Sequence, residues 1–142
     1  MNDRPFDLLS LGELLLRLSP EGVDRLVRGE SMRKQVGGAE LNVAVGASLL
    51  GLHTGVVTQL PAHDMGNFIK NSVRSYGISD DYVVYDHSPN ARLGLYYYEY
   101  GAHPRKPKVI YHSNNSSFYS ISTDSFPHEM YGSTTCFHTR GM

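Results

Sequence analysis

The stretch QVGGAELNVAVGASLLG, residues 35–51, sets a glycine pair directly before an apolar-periodic run and closes on another glycine. Leu41, Val45 and Leu49, with Ala44 and Ala47 between them, recur at helical spacing, which predicts a helix over 39–50. Val43 and Leu50 widen its apolar face, so the helix is expected to be largely buried, and Gly51 falls where a C-terminal cap belongs. Gly37 and Gly38 let the backbone turn sharply and let a ligand approach it closely. Asn42, one turn into the helix, offers donors and an acceptor to a polyol. The same residues also suit an ordinary loop with a capping glycine and an exposed asparagine. On this stretch alone both readings stand.

Outward from it, the chain alternates strands and helices. DLLSLGE (7–13) reads as a short buried strand ending at Gly12, and LLLRLSP (14–20) as a second, stopped by Pro20. Residues 21–34 are polar and aperiodic, which predicts a loop. TGVVTQL (54–60) is a further strand, completing a strand-helix-strand unit. HDMGNFIKNSVRSYG then carries Asp64 as a cap candidate, Phe68, Ile69, Val73 and Tyr76 on one face, and Gly77 as its stop. ISDDYVVYD leads into another strand. RLGLYYYEYG alternates, with Tyr96, Tyr98 and Tyr100 on one face, and KVIYH makes a strand beyond the GAHPRKP turn. TTCFHTRGM reads as one more buried strand. The fold class expected from this order is α/β, a mostly parallel sheet with flanking helices, plus a Tyr-rich antiparallel excursion.

Composition removes several functions. The 142 residues allow one modest domain, and 13 basic against 14 acidic residues leave a net charge of -1. No basic stretch suggests nucleic acid or a membrane surface. The single Cys136 cannot form an intramolecular disulfide, which suits a reducing compartment. Glu13 and Arg17 interrupt the apolar N-terminal pieces, so neither a signal peptide nor a span is expected, and the expected location is cytoplasmic. Ten tyrosines against no tryptophan suit half-exposed sheets and binding faces. The sequence has no P-loop, no G-x-G-x-x-G, no H-E-x-x-H and no G-x-S-x-G, and one cysteine precludes a zinc ribbon.

LGE on the first strand, VGGAELNVAVGASLLG and DMGNFIKNSVRSYGI together resemble the ribokinase-like (PfkB-type) carbohydrate kinases. The glycine pair, Asn42, Gly46, Gly51 and Gly66 lie where that family's N-terminal signature has its small residues and Asn. GGAELN, RLGLYYYE, GAHPRKPKVIYH and FHTRGM are most similar to the 2-keto-3-deoxygluconate kinases within it. Glu40 stands where ribokinases commonly have proline.

The resemblance implies that the opening glycines meet a sugar. By position, Gly38, Ala39, Glu40, Leu41 and Asn42 form the sugar-binding turn, with Glu13 beside it. Tyr96 and Tyr111 correspond to aromatic residues that close over a keto-sugar acid from a β lid, whose strands are expected within 14–35 and 92–118. On its own residues Tyr96 also reads as ordinary sheet packing. Ser113 stands where the family usually has an Arg, and a hydroxyl cannot replace a carboxylate-pairing guanidinium. Arg105, Lys106 and Lys108 lie nearby as further cations. Pro61, Ala62 and His63 replace the usual acidic G-D-D turn.

The resemblance further implies that residues 1–142 are the N-terminal portion of a sugar kinase domain. The complete member phosphorylates a keto-sugar acid with ATP and Mg²⁺. The family's catalytic Asp, in a G-A-G-D motif absent here, and its nucleotide-binding segments belong to the C-terminal half. No catalytic residue and no metal ligand is therefore assigned in this chain, which is expected to bind no cofactor and to be inactive alone. A homodimer through the lid is implied. Alternatives are a non-catalytic sugar-binding or interaction module, and a fructokinase or nucleoside kinase of the same superfamily.

Overall fold

The computed structural model describes residues 4–140. Its strands form two four-stranded sheets. The first has the order β5-β4-β1-β8 and is parallel throughout, from β1 (Phe6–Leu11), β4 (Thr54–Pro61), β5 (Ser79–Asp86) and β8 (Thr134–Thr139). The second has the order β3-β2-β6-β7, from β2 (Leu15–Pro20), β3 (Met32–Gly37), β6 (Leu95–Glu99) and β7 (Lys108–His112). Its outer pairs are antiparallel, and β2 runs parallel to β6. Only Gly12, Glu13 and Leu14 separate β1 from β2, so this short segment joins the two sheets.

Period-2 alternation along β4 fills both faces of the parallel sheet. Val56 and Leu60 pack with Leu41 and Ala44 of α1 (Ala39–Leu49) and with Ile69 and Val73 of α2 (Asp64–Ser75). Val57 turns to the other face, where it meets Phe6, Leu9, Phe126 and Met130. The last two come from the segment of short helical turns between β7 and β8, which includes α3 (Glu129–Gly132).

Four expectations are corrected. The stretch read as a loop over 21–34 contains the start of β3 at Met32, because Arg33, Lys34 and Gln35 pair with β2 through backbone bonds that need no apolar pattern. Helix α1 is not largely buried: only the stripe through Leu41 and Ala44 meets the sheet, while Leu49 and Leu50 are 80% and 85% exposed. Its apolar residues run round the cylinder instead of along one face. Strand β8 is an edge strand, buried only at Thr134, with Cys136 and Phe137 exposed; residues 141–142 of TTCFHTRGM lie outside the described residues. The cap of α2 is His63, whose Nδ1 accepts the Met65 N–H at 3.2 Å. Asp64 is the first helical residue, where its charge faces the positive helix end.

Candidate functional site

The two glycines of the opening stretch have different tasks. Gly38 is the residue before α1, at φ +137°, and a Cβ there would lie 2.8 Å from the Glu13 carbonyl oxygen. Its strain and its crowding both require glycine. Gly37 ends β3, and a Cβ on it would lie 2.6 Å from the Tyr96 hydroxyl. The first glycine admits an aromatic ring, and the second starts the helix. No side chain caps that helix end, so its first N–H groups remain available to a ligand.

In front of it opens a cavity of about 750 Å³. One wall is the C-terminal end of the parallel sheet, with Leu11 and Thr139; a second is the α1 start; the third is the Tyr-rich sheet, with Tyr96, Tyr98 and Tyr111. Ligands of open parallel sheets bind at this end of the strands.

Glu13 and Glu40 both line the cavity. Glu13 lies beside Gly94, where any Cβ would collide with its Oε1. Ser116 Oγ donates to Glu13 Oε1 at 2.5 Å. Burial pushes the Glu13 carboxyl above its ordinary value; the Ser116 hydroxyl pulls it partly back, and the Glu40 carboxylate pushes it up again. The Glu40 side chain lies over Gly12, in space a Cβ would fill, and its backbone carbonyl accepts from Ser10 Oγ at 2.9 Å. Tyr96 and Tyr111, cross-strand partners on β6 and β7, have ring centroids 5.6 Å apart. Burial raises the Tyr96 hydroxyl pKa, against the nearby Arg17 charge.

The structure brings Glu13, Gly38, Ala39, Glu40, Asn42, Tyr96, Tyr111 and Ser113 to this one cavity. Leu41 does not join them. Its side chain points the other way into the core with Val56 and Ile69, as its place one helical step from Glu40 dictates. Arg105, Lys106 and Lys108 are also absent from the lining. The Arg105 guanidinium pairs with Glu99 and donates to the Val23 carbonyl at 2.5 Å. Sequence reasoning missed Arg17, Arg140, Phe118 and Tyr119, which line the cavity, and Ser116. For Arg17 the signal was its alternation on β2, but placing it required the pairing Arg17↔Tyr96 between distant strands.

Among the described residues no group of three or more His, Cys, Asp or Glu is placed to hold a metal, and no helix is long and apolar enough to cross a membrane.

A Gly-started helix, strand ends and an aromatic sheet converge on one cavity of an α/β domain. Residues 6–138 match the pfkB family of carbohydrate kinases, and the chain belongs to that family. It is similar to the 2-dehydro-3-deoxygalactonokinase of Haloferax volcanii, with 32% identity over 136 residues that cover 96% of this chain and 42% of the relative. It is also similar to a 5-dehydro-2-deoxygluconokinase of Bacillus thuringiensis, 35% identical over 85 residues, covering 59% of this chain and 26% of that one. The crystal structure of 2-dehydro-3-deoxygluconokinase from Thermotoga maritima superposes with a TM-score of 0.88 at 31% identity, over 94% of this chain and 40% of that protein. The chain thus spans less than half the length of these relatives.

Proposed function

We propose that this chain is the sugar-binding part of an ATP-dependent kinase for a keto-deoxy sugar acid, of the 2-keto-3-deoxygluconate type. One observation carries the reading: Glu13, the α1 start and Tyr96 with Tyr111, drawn from four separate stretches of sequence, face one cavity. Carboxylates and Asn42 accept and donate to hydroxyls, the uncapped helix end supplies N–H donors, and the tyrosine pair covers the apolar face of a sugar. The three relatives named above all carry names of kinases for keto-deoxy sugar acids, and this supports the acid over a neutral ketose.

In the longer proteins of the family ATP supplies the phosphoryl group, with Mg²⁺ as its proposed companion. The residues described here do the sugar-side work: they bind, orient and shield the acceptor hydroxyl, and none of them is assigned the role of catalytic base. The chain alone accordingly produces no sugar phosphate. The Tyr-rich sheet acts as a lid over the sugar, and its exposed strand β7, with Tyr111 69% exposed, serves as a homodimer contact.

The test is a pair of measurements on the purified chain. Calorimetric titration with 2-keto-3-deoxygluconate is expected to show binding that Asn42→Ala weakens, and a coupled assay with Mg-ATP is expected to show no turnover. Absence of binding would remove the sugar reading, and turnover would remove the assignment of catalysis to residues outside this chain.

A further inference from the structure

Ser113 leaves the cavity without the guanidinium that the resemblance placed there, and Arg105 is engaged elsewhere with Glu99. A different arginine occupies the wall. Arg17 projects from β2 on the same sheet face as Tyr96, its register partner. Its Cζ lies 4.3 Å from the Tyr98 ring centroid and 5.1 Å from that of Tyr100. Its Nε donates to Ser19 Oγ at 3.3 Å, and its Nη2 donates to the Tyr100 hydroxyl at 2.5 Å.

These partners are all neutral. Among the described residues the ion pair is Arg105 with Glu99, and no carboxylate stands within salt-bridge distance of Arg17. A guanidinium seated on two rings and held by two hydroxyls is pre-oriented, so an incoming anion meets a fixed fork at little ordering cost. Arg140 also lines the cavity, but among the described residues no hydrogen bond or ring holds its side chain. The cavity therefore has a carboxylate-and-amide part, at Glu13, Glu40 and Asn42, and a cationic wall at Arg17. That is the polarity of a polyol with an acid group at one end.

We infer that Arg17 binds the carboxylate of the sugar acid in place of the arginine missing at Ser113, and so sets the preference for acids over neutral sugars. The inference rests on the sugar-binding reading given above.

The experiment titrates the 142-residue chain by calorimetry with two ligands. They are 2-keto-3-deoxygluconate and 3-deoxyfructose, its counterpart with a hydroxymethyl group in place of the carboxylate. The readout is the ratio of the two affinities within each variant, which a change in folded fraction scales out. The original chain is expected to favour the acid by about 10- to 100-fold, the value of a well-formed charge-assisted bond. Arg17→Gln brings the ratio close to one by weakening the acid alone. Ser113→Arg placed in the Arg17→Gln background restores it, and Lys106→Gln, outside the cavity, leaves it unchanged. An Arg17→Gln chain that keeps its acid preference, or a preference that collapses in Arg140→Gln instead, overturns the inference while leaving the sugar-binding reading intact. Binding of neither ligand by the original chain overturns both.

Discussion

Ser116 donates its hydroxyl to Glu13 at 2.5 Å across 103 residues of sequence, fixing one carboxyl group of the cavity to the segment that follows β7. The bond opposes a larger effect of burial, which leaves the Glu13 pKa above its ordinary value of 4.5. The folded chain therefore takes up this proton more readily than the unfolded one. Its charge costs stability that is absent at pH values below 4.5, grows as pH rises through the raised folded value, and is fully present above it. Ser116→Ala removes the opposing bond, so the Glu13 pKa is expected to rise further. NMR titration of the Glu13 carboxyl carbon measures it, and an unchanged midpoint would contradict the contact.

Gly38, just before α1, and Gly46 within it have opposite requirements. Gly38→Ala forces a Cβ into a φ of +137° and against the Glu13 carbonyl, and is expected to destabilise by about 1–3 kcal/mol. Gly46 has nothing within 4 Å of its Cβ position and lies in mid-helix. There alanine is expected to stabilise by about 0.5–1 kcal/mol. Thermal unfolding of the two variants checks both signs.

How far the sequence showed this arrangement depends on where each signal lay. The α/β order, β4 and α2 were legible because Val56, Val57, Leu60, Ile69 and Val73 follow the periods that local structure imposes. Strand β3 was not legible in its own residues, since Arg33, Lys34 and Gln35 carry no apolar alternation and pair only through the backbone. The glycine pair and Asn42 were visible as local motifs, and Tyr96 with Tyr111 through family likeness. Arg17, visible locally only as an alternating position on β2, enters the site through strand pairing, and Ser116 enters through a hydrogen bond between distant segments that no local pattern marks.

Glu99 ties two loops of the Tyr-rich sheet together. Its carboxylate accepts the Leu26 N–H at 3.0 Å and pairs with Arg105, which in turn reaches the Val23 carbonyl. The Leu26 N–H is the main cause holding the Glu99 carboxyl below its ordinary value, helped by Arg105 against desolvation. This tie therefore stabilises the fold above pH 4.5 and is lost as pH falls through the lowered folded value. Glu99→Gln is expected to speed hydrogen exchange at Leu26 several-fold at neutral pH and to expose the β2–β3 loop to proteases. Equal exchange in both proteins would show that the tie carries no stability.

Val43 and Leu49 on α1, and Leu50 and Leu52 in the turn after it, are exposed apolar side chains. Phe137 on β8, 37% exposed, and Tyr111 on β7 add two exposed strand edges. Surfaces of this kind favour association. The chain is expected to form dimers or larger species in size-exclusion chromatography with light scattering, and Leu49→Glu with Leu50→Glu to reduce them. A monodisperse monomer with a cooperative thermal transition would contradict this.

The cavity between the α1 start and the Tyr-rich sheet is proposed to receive a keto-sugar acid. Amide chemical-shift mapping of the ¹⁵N-labelled chain during titration with 2-keto-3-deoxygluconate tests it most directly. The predicted result is a saturable set of shifts centred on Gly38, Ala39, Glu40 and Asn42, continuing onto Tyr96 and Tyr111. Shifts that gather instead around the smaller cleft of Lys34, Phe68 and Ser72, or no shifts at ligand excess, would contradict it.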